Sequence, residues 1–85
     1  MSTTTSVRLK QIMSERNLRQ VDILEKSKPY QEQLGIYLNK SHFSQYVNDK
    51  SSPDKRKLYL LGKTLDVSME WLMGYDDVRK ERNNV

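Results

Sequence analysis

Apolar residues recur at helical spacing along most of the chain. Val7, Leu9, Ile12 and Met13 include the i, i+3, i+4 intervals of an amphipathic stripe, and Ser6 just before them is a good N-cap. Asn17 tolerates the left-handed conformation that ends helices, so this segment is predicted to stop there. A short second helix is predicted from Gln20 to Lys26, with Val21, Ile23 and Leu24 as its apolar positions. Lys28-Pro29 predicts a break, because the residue before a proline avoids the helical region. Residues 29–38 show no clean period, and Gly35 stands among Leu34, Ile36, Tyr37 and Leu38. That stretch reads as a loop packed on the core. Asn39 then caps a third helix, Lys40 to about Asn48, with Phe43, Tyr46 and Val47 facing inward. Asp49-Lys50-Ser51 reads as a turn. Ser52-Pro53 reads as an N-cap followed by proline at the first helical position. The fourth helix runs to about Leu65 and buries Leu58, Leu61, Gly62 and Leu65. After a tight Asp66-Val67 connection, Ser68 caps a fifth helix, Met69–Met73, which stops at Gly74.

No strand pattern competes. The fold expected is all-α: five short helices around one core, spanning residues 6–75. Residues 1–5 read as a flexible N-terminal arm. Residues 76–85, charged and Asn-rich, read as a C-terminal tail or the start of a linker.

At 85 residues there is room for one domain. There is no cysteine and one histidine, His42, so a disulfide framework and a Cys/His zinc site are excluded. Cysteine absence fits a cytoplasmic chain. The longest apolar run, Leu58-Tyr59-Leu60-Leu61-Gly62, is far short of the ~20 residues a membrane span needs. Fifteen Lys and Arg against eleven Asp and Glu leave a net charge of +4, which suits polyanion partners, nucleic acid first. No nucleophile–base pair, metal set or phosphate loop stands out. The expectation is therefore a protein that is not an enzyme and that needs neither metal nor cofactor.

A short helix, a connection and a second capped helix can form a helix-turn-helix, whose second helix lies in the major groove. That helix needs one apolar face for the core and one face able to bond base edges. Phe43, Tyr46 and Val47 supply the first. Lys40, Ser41, Ser44 and Gln45 supply the second, at i, i+1, i+4 and i+5. Glutamine can bond adenine bidentately, lysine can bond guanine, and serine donates or accepts. No acidic residue lies between positions 40 and 48 to repel phosphate.

These residues carry a resemblance. From about residue 6 to residue 74 the chain resembles the lambda-repressor-like helix-turn-helix family, the phage CI/Cro and bacterial XRE-type regulators. Its recognition-helix pattern is matched by Phe43-Ser44-Gln45-Tyr46-Val47-Asn48-Asp49-Lys50 followed by Pro53. Its later signature is matched by Leu61-Gly62-Lys63-Thr64-Leu65-Asp66-Val67-Ser68 and by Trp71-Leu72-Met73-Gly74. Gln20, in Asn17-Leu18-Arg19-Gln20, fits the family's glutamine at the start of the second helix. Within the family, Leu9-Lys10-Gln11-Ile12-Met13 and Trp71-Leu72-Met73-Gly74 are most similar to the N-terminal domains of CI repressors from temperate lactococcal-type phages.

The resemblance implies a sequence-specific repressor that occludes operator DNA, with family members binding as dimers. It implies base contacts from Lys40, Ser41, Ser44 and Gln45. It also implies phosphate contacts from Arg19, Gln20, Asn48, Lys50 and Ser51. Apart from the resemblance, Lys55-Arg56-Lys57 is a charge run of the kind that usually forms a solvated face, and its place just after the recognition helix suits auxiliary phosphate contacts. Part of Met69, Trp71, Leu72, Met73 and Tyr75 completes the core, and any exposed remainder suits self-association or a partner protein. Three departures stand out. Gln20 and Phe43 are twenty-three positions apart, where the family usually has about fourteen, so about nine residues are inserted before Leu38. Arg19 occupies the capping place usually held by Ser or Thr, and Leu24 the place of a small alanine. Two alternatives belong beside this reading. One is a protein-interaction module of the same fold, covered by an antirepressor or paired like an antitoxin. The other is a complete small Cro-like regulator.

Overall fold

In a computed structural model the described residues are 4–75, 78, 80 and 81. They form five helices: α1 (Thr5–Arg16), α2 (Gln20–Leu34), α3 (Lys40–Val47), α4 (Lys55–Leu65) and α5 (Met69–Leu72). The fold is all-α, as the periodicity predicts. α2 packs on α3 and α4, α1 on α3 and α5, and α4 on α5. Leu9, Ile12, Ile23, Phe43, Leu60, Leu61, Val67 and Leu72 are completely buried at the centre.

Several boundaries follow local capping chemistry. Asn17 takes φ 55° and its N–H donates to the Met13 carbonyl, closing α1. The Asn39 side chain accepts from His42 N–H at 2.7 Å and opens α3. The Ser68 hydroxyl accepts from Trp71 N–H at 2.9 Å and opens α5. Each side chain satisfies a backbone donor that the helix start leaves unpaired.

Two caps differ from expectation. Thr4, rather than Ser6, caps α1, with its hydroxyl accepting from Val7 N–H. Ser6 is buried in the first turn, 3.0 Å from the Thr4 hydroxyl. The arm expected over residues 1–5 therefore gives way to the helix cap at Thr4 and to helix at Thr5, while residues 1–3 lie outside the described residues. At α4 the cap is Asp54, whose carboxylate accepts from Lys57 N–H at 2.9 Å, and not Ser52. Pro53 is buried just ahead of the cap instead of opening the helix.

The largest correction concerns Pro29. The predicted break does not occur: α2 passes through Pro29 and continues to Leu34. A proline inside a helix removes one hydrogen bond and crowds the carbonyl four residues back. Contacts made beyond it offset that cost. Tyr30 and Leu34 pack on the core, and Gln31 ties two elements together. Its amide donates to the buried Ser27 hydroxyl at 2.8 Å, and its carbonyl oxygen accepts from Leu38 N–H at 3.2 Å. The expected loop over residues 29–38 thus shrinks to residues 35–39, entered by Gly35 at φ 67°. Ile36 and Leu38 are buried, while Tyr37 between them is exposed.

Part of the expected tail returns to the domain. Val78 packs on the core, and Ser68 N–H donates to the Lys80 carbonyl at 2.8 Å beside a bridge between Val67 and Glu81. The Lys80 ammonium pairs with Glu15 and lies 5.5 Å from the Trp71 ring. The Arg8 guanidinium stands 4.5 Å from the same ring. Asp76, Asp77, Arg79 and residues 82–85 lie outside the described residues.

Candidate nucleic-acid interface

α3 is held to the core by three side chains on one face. Phe43 is fully buried, and Tyr46 and Val47 nearly so. Burying side chains of this size stabilises by about 1.5–3 kcal/mol each, enough to fix the rotation of a short helix. Burial pushes the Tyr46 phenol above its ordinary range, and the nearby Asp54 carboxylate adds to that shift.

Fixing the rotation presents the opposite face to solvent. Lys40, Ser41, Ser44, Gln45, Asn48 and Lys50 line one shallow groove of about 590 Å³. All four residues expected to contact bases and two of the five expected to contact phosphate therefore share one surface. Among the described residues no carboxylate lines it, and its cations stand at Lys40 and Lys50. After α3 the chain turns back along this surface. Asp49 adopts φ 58°, and Lys50 N–H donates to the Gln45 carbonyl at 2.9 Å. The Asn48 amide donates to the Ser44 carbonyl at 2.9 Å and to its hydroxyl at 3.3 Å. Ser51 lies outside the groove lining, but its hydroxyl donates to the Gln45 side-chain oxygen Oε1 at a long 3.4 Å. Such a contact is weak and easily exchanged for a stronger acceptor.

Arg19 and Gln20 also lie outside the groove lining, at the start of α2. Arg19 is engaged on its own chain. Its Nε and Nη2 each donate to the Asp22 carboxylate at 3.1 Å, and its backbone N–H donates to the same group at 2.8 Å. These bonds hold the Asp22 carboxyl below its usual range, the Arg19 side chain contributing most. The sequence signal was present: a carboxylate three residues after the cap is the usual partner for the cap's N–H.

Lys55, Arg56 and Lys57 are at the start of α4, and Arg56 donates to the Gly35 carbonyl at 3.2 Å. His42 is exposed on α3, bordering a separate depression with Arg56 and Lys57. Among the described residues no group of three or more His, Cys, Asp or Glu is placed to hold a metal ion. Among them, too, no helix is long and apolar enough to cross a membrane.

No family model matches the chain, and no curated protein matches it.

Proposed function

We propose that the chain is a sequence-specific double-stranded DNA-binding domain of the lambda-repressor-like helix-turn-helix kind, acting by operator occlusion. One observation carries the reading. The exposed face of α3 and the turn after it gather Lys40, Ser41, Ser44, Gln45, Asn48 and Lys50 into one groove lined by no carboxylate among the described residues, while Phe43, Tyr46 and Val47 anchor the other face of α3. A helix of about 10–12 Å diameter fits a major groove about 12 Å wide.

In this reading α3 enters the major groove, and Lys40, Ser41, Ser44 and Gln45 meet base edges. Gln45 exchanges its long contact with Ser51 for a bidentate pair with adenine. Asn48, Lys50 and Ser51 meet the phosphates at one end of the helix. Gln20 and Arg19 meet them at the start of α2. Arg19 brings little net charge there, because Asp22 already pairs with it. Two copies on an inverted repeat would block a promoter without catalysing any reaction.

Two substitutions separate the roles on a selected operator. Gln45→Ala is expected to cost about 1–3 kcal/mol and relax preference at one base position. Lys50→Ala is expected to weaken all duplexes alike and to reduce the salt dependence by about one counterion. Unchanged operator affinity in both variants would overturn the docking.

A further inference from the structure

A second depression differs chemically from the α3 groove and shares no lining residue with it. It lies between the 35–39 connection, α4 and α5, encloses about 380 Å³, and is lined by Ile36, Lys55, Arg56, Tyr59 and Met69. That is the lower end of the range for pockets that enclose a ligand. Its floor is apolar: Ile36 is buried, Met69 half-buried, and Tyr59 remains 41% exposed. Its rim is cationic. Lys55 and Tyr59 are one turn apart on α4, and the Lys63 ammonium lies a turn further on, 5.7 Å from the Tyr59 ring. Arg56 is held in place by its bond to the Gly35 carbonyl. Among the described residues no carboxylate lines the cleft.

The core does not require this arrangement. α4 already buries Leu58, Leu60, Leu61 and Leu65 on its inner side, so Tyr59 is left over on the outer one. Cations alone would suit phosphate. An apolar floor beneath them suits a ligand that carries a large apolar group between negative charges. We propose that this cleft docks an acidic amphipathic protein segment. One large aliphatic or aromatic side chain inserts between Ile36, Tyr59 and Met69, and flanking carboxylates pair with Lys55 and Arg56. Charge complementarity selects this occupant over a second copy of the chain, whose net charge is also positive. The cleft shares no lining residue with the α3 groove, but Lys55 and Arg56 belong to the run expected to add auxiliary phosphate contacts, so the test below reads peptide and duplex DNA binding side by side.

The test uses the full 85-residue chain and a displayed library of peptides about 16 residues long. Apolar residues are fixed at helical i, i+3, i+4 and i+7 spacing and every flanking position is random. The recovered peptides are expected to be enriched in Asp and Glu at the flanks. Their binding is expected to fall about tenfold with Lys55→Glu, through like-charge juxtaposition. A similar fall is expected with Tyr59→Ser, through loss of the aromatic anchor. Both positions are exposed, and circular dichroism checks that each variant folds. Gln45→Ala, on the other groove, is expected to leave peptide binding unchanged. An empty selection, peptides without acidic enrichment, or equal binding to Lys55→Glu would overturn the proposal. So would loss of peptide binding in Gln45→Ala, or duplex DNA being the only ligand sensitive to Lys55→Glu and Tyr59→Ser.

Discussion

Replacing Pro29 by alanine is expected to stabilise the protein. Pro29 lies well inside α2, where it leaves the Glu25 carbonyl without its helical donor. Proline in a helix interior costs about 3 kcal/mol relative to alanine. Its side chain is exposed, so removing the ring opens no cavity in the core. Against the gain, alanine makes the unfolded chain more flexible, which costs up to about 1 kcal/mol. The net is a stabilisation of about 2 kcal/mol, which for a domain of this size raises Tm by about 10 °C. Urea and thermal unfolding followed by far-UV circular dichroism and by Trp71, the only tryptophan, measure it. The urea m-value should not change, because the surface exposed on unfolding is nearly the same. Pro53→Ala is the contrasting case. Pro53 is buried ahead of the Asp54 cap, so that variant is expected to lose about 1–2 kcal/mol. A Pro29→Ala variant no more stable than the parent would refute a continuous α2.

Gln31→Ala is expected to cost about 1–3 kcal/mol in urea unfolding, because it strips partners from the Ser27 hydroxyl and Leu38 N–H. The Asp22 carboxyl is depressed by Arg19, so its stabilising contribution is full above the unfolded-state carboxylate pKa and lost as pH falls through the folded value. Asp22→Asn should therefore flatten that part of the stability profile between about pH 5 and pH 2, and an unchanged profile would discard the pairing. Lys80→Ala removes the Glu15 pair and a cation from the Trp71 ring, and should change Trp71 fluorescence with little loss of helix content. An unchanged emission spectrum would argue against the returning segment.

What was legible in the sequence was what is decided within one helical turn. Asn17, Asn39 and Ser68 act on backbone groups three or four residues away, so their roles can be read from spacing. Spacing likewise placed Lys40, Ser41, Ser44 and Gln45 on the face opposite Phe43, and the fold gathers them. Where two caps compete a few residues apart, spacing does not choose: Asp54 prevails over Ser52 with Pro53 already buried in front of it. Pro29 misleads for a similar reason. Its local preference is opposed by Tyr30 and Leu34 on the core and by Gln31 reaching Leu38, none of which a dipeptide rule contains. The two cations near the Trp71 ring come from Arg8 and Lys80, near opposite ends of the chain, and only the packed structure joins them. The binding roles of the α3 face come from chemistry and resemblance, and are tested by binding.

The most direct measurement is selection from a random duplex-DNA pool at about 0.15 M salt, with the free chain and with an artificially dimerised one. The account predicts a short motif, an inverted repeat for the dimer, whose recovery weakens with Gln45→Ala and whose affinity falls steeply with salt. Recovery of DNA without a motif, or of none by either form, would contradict it.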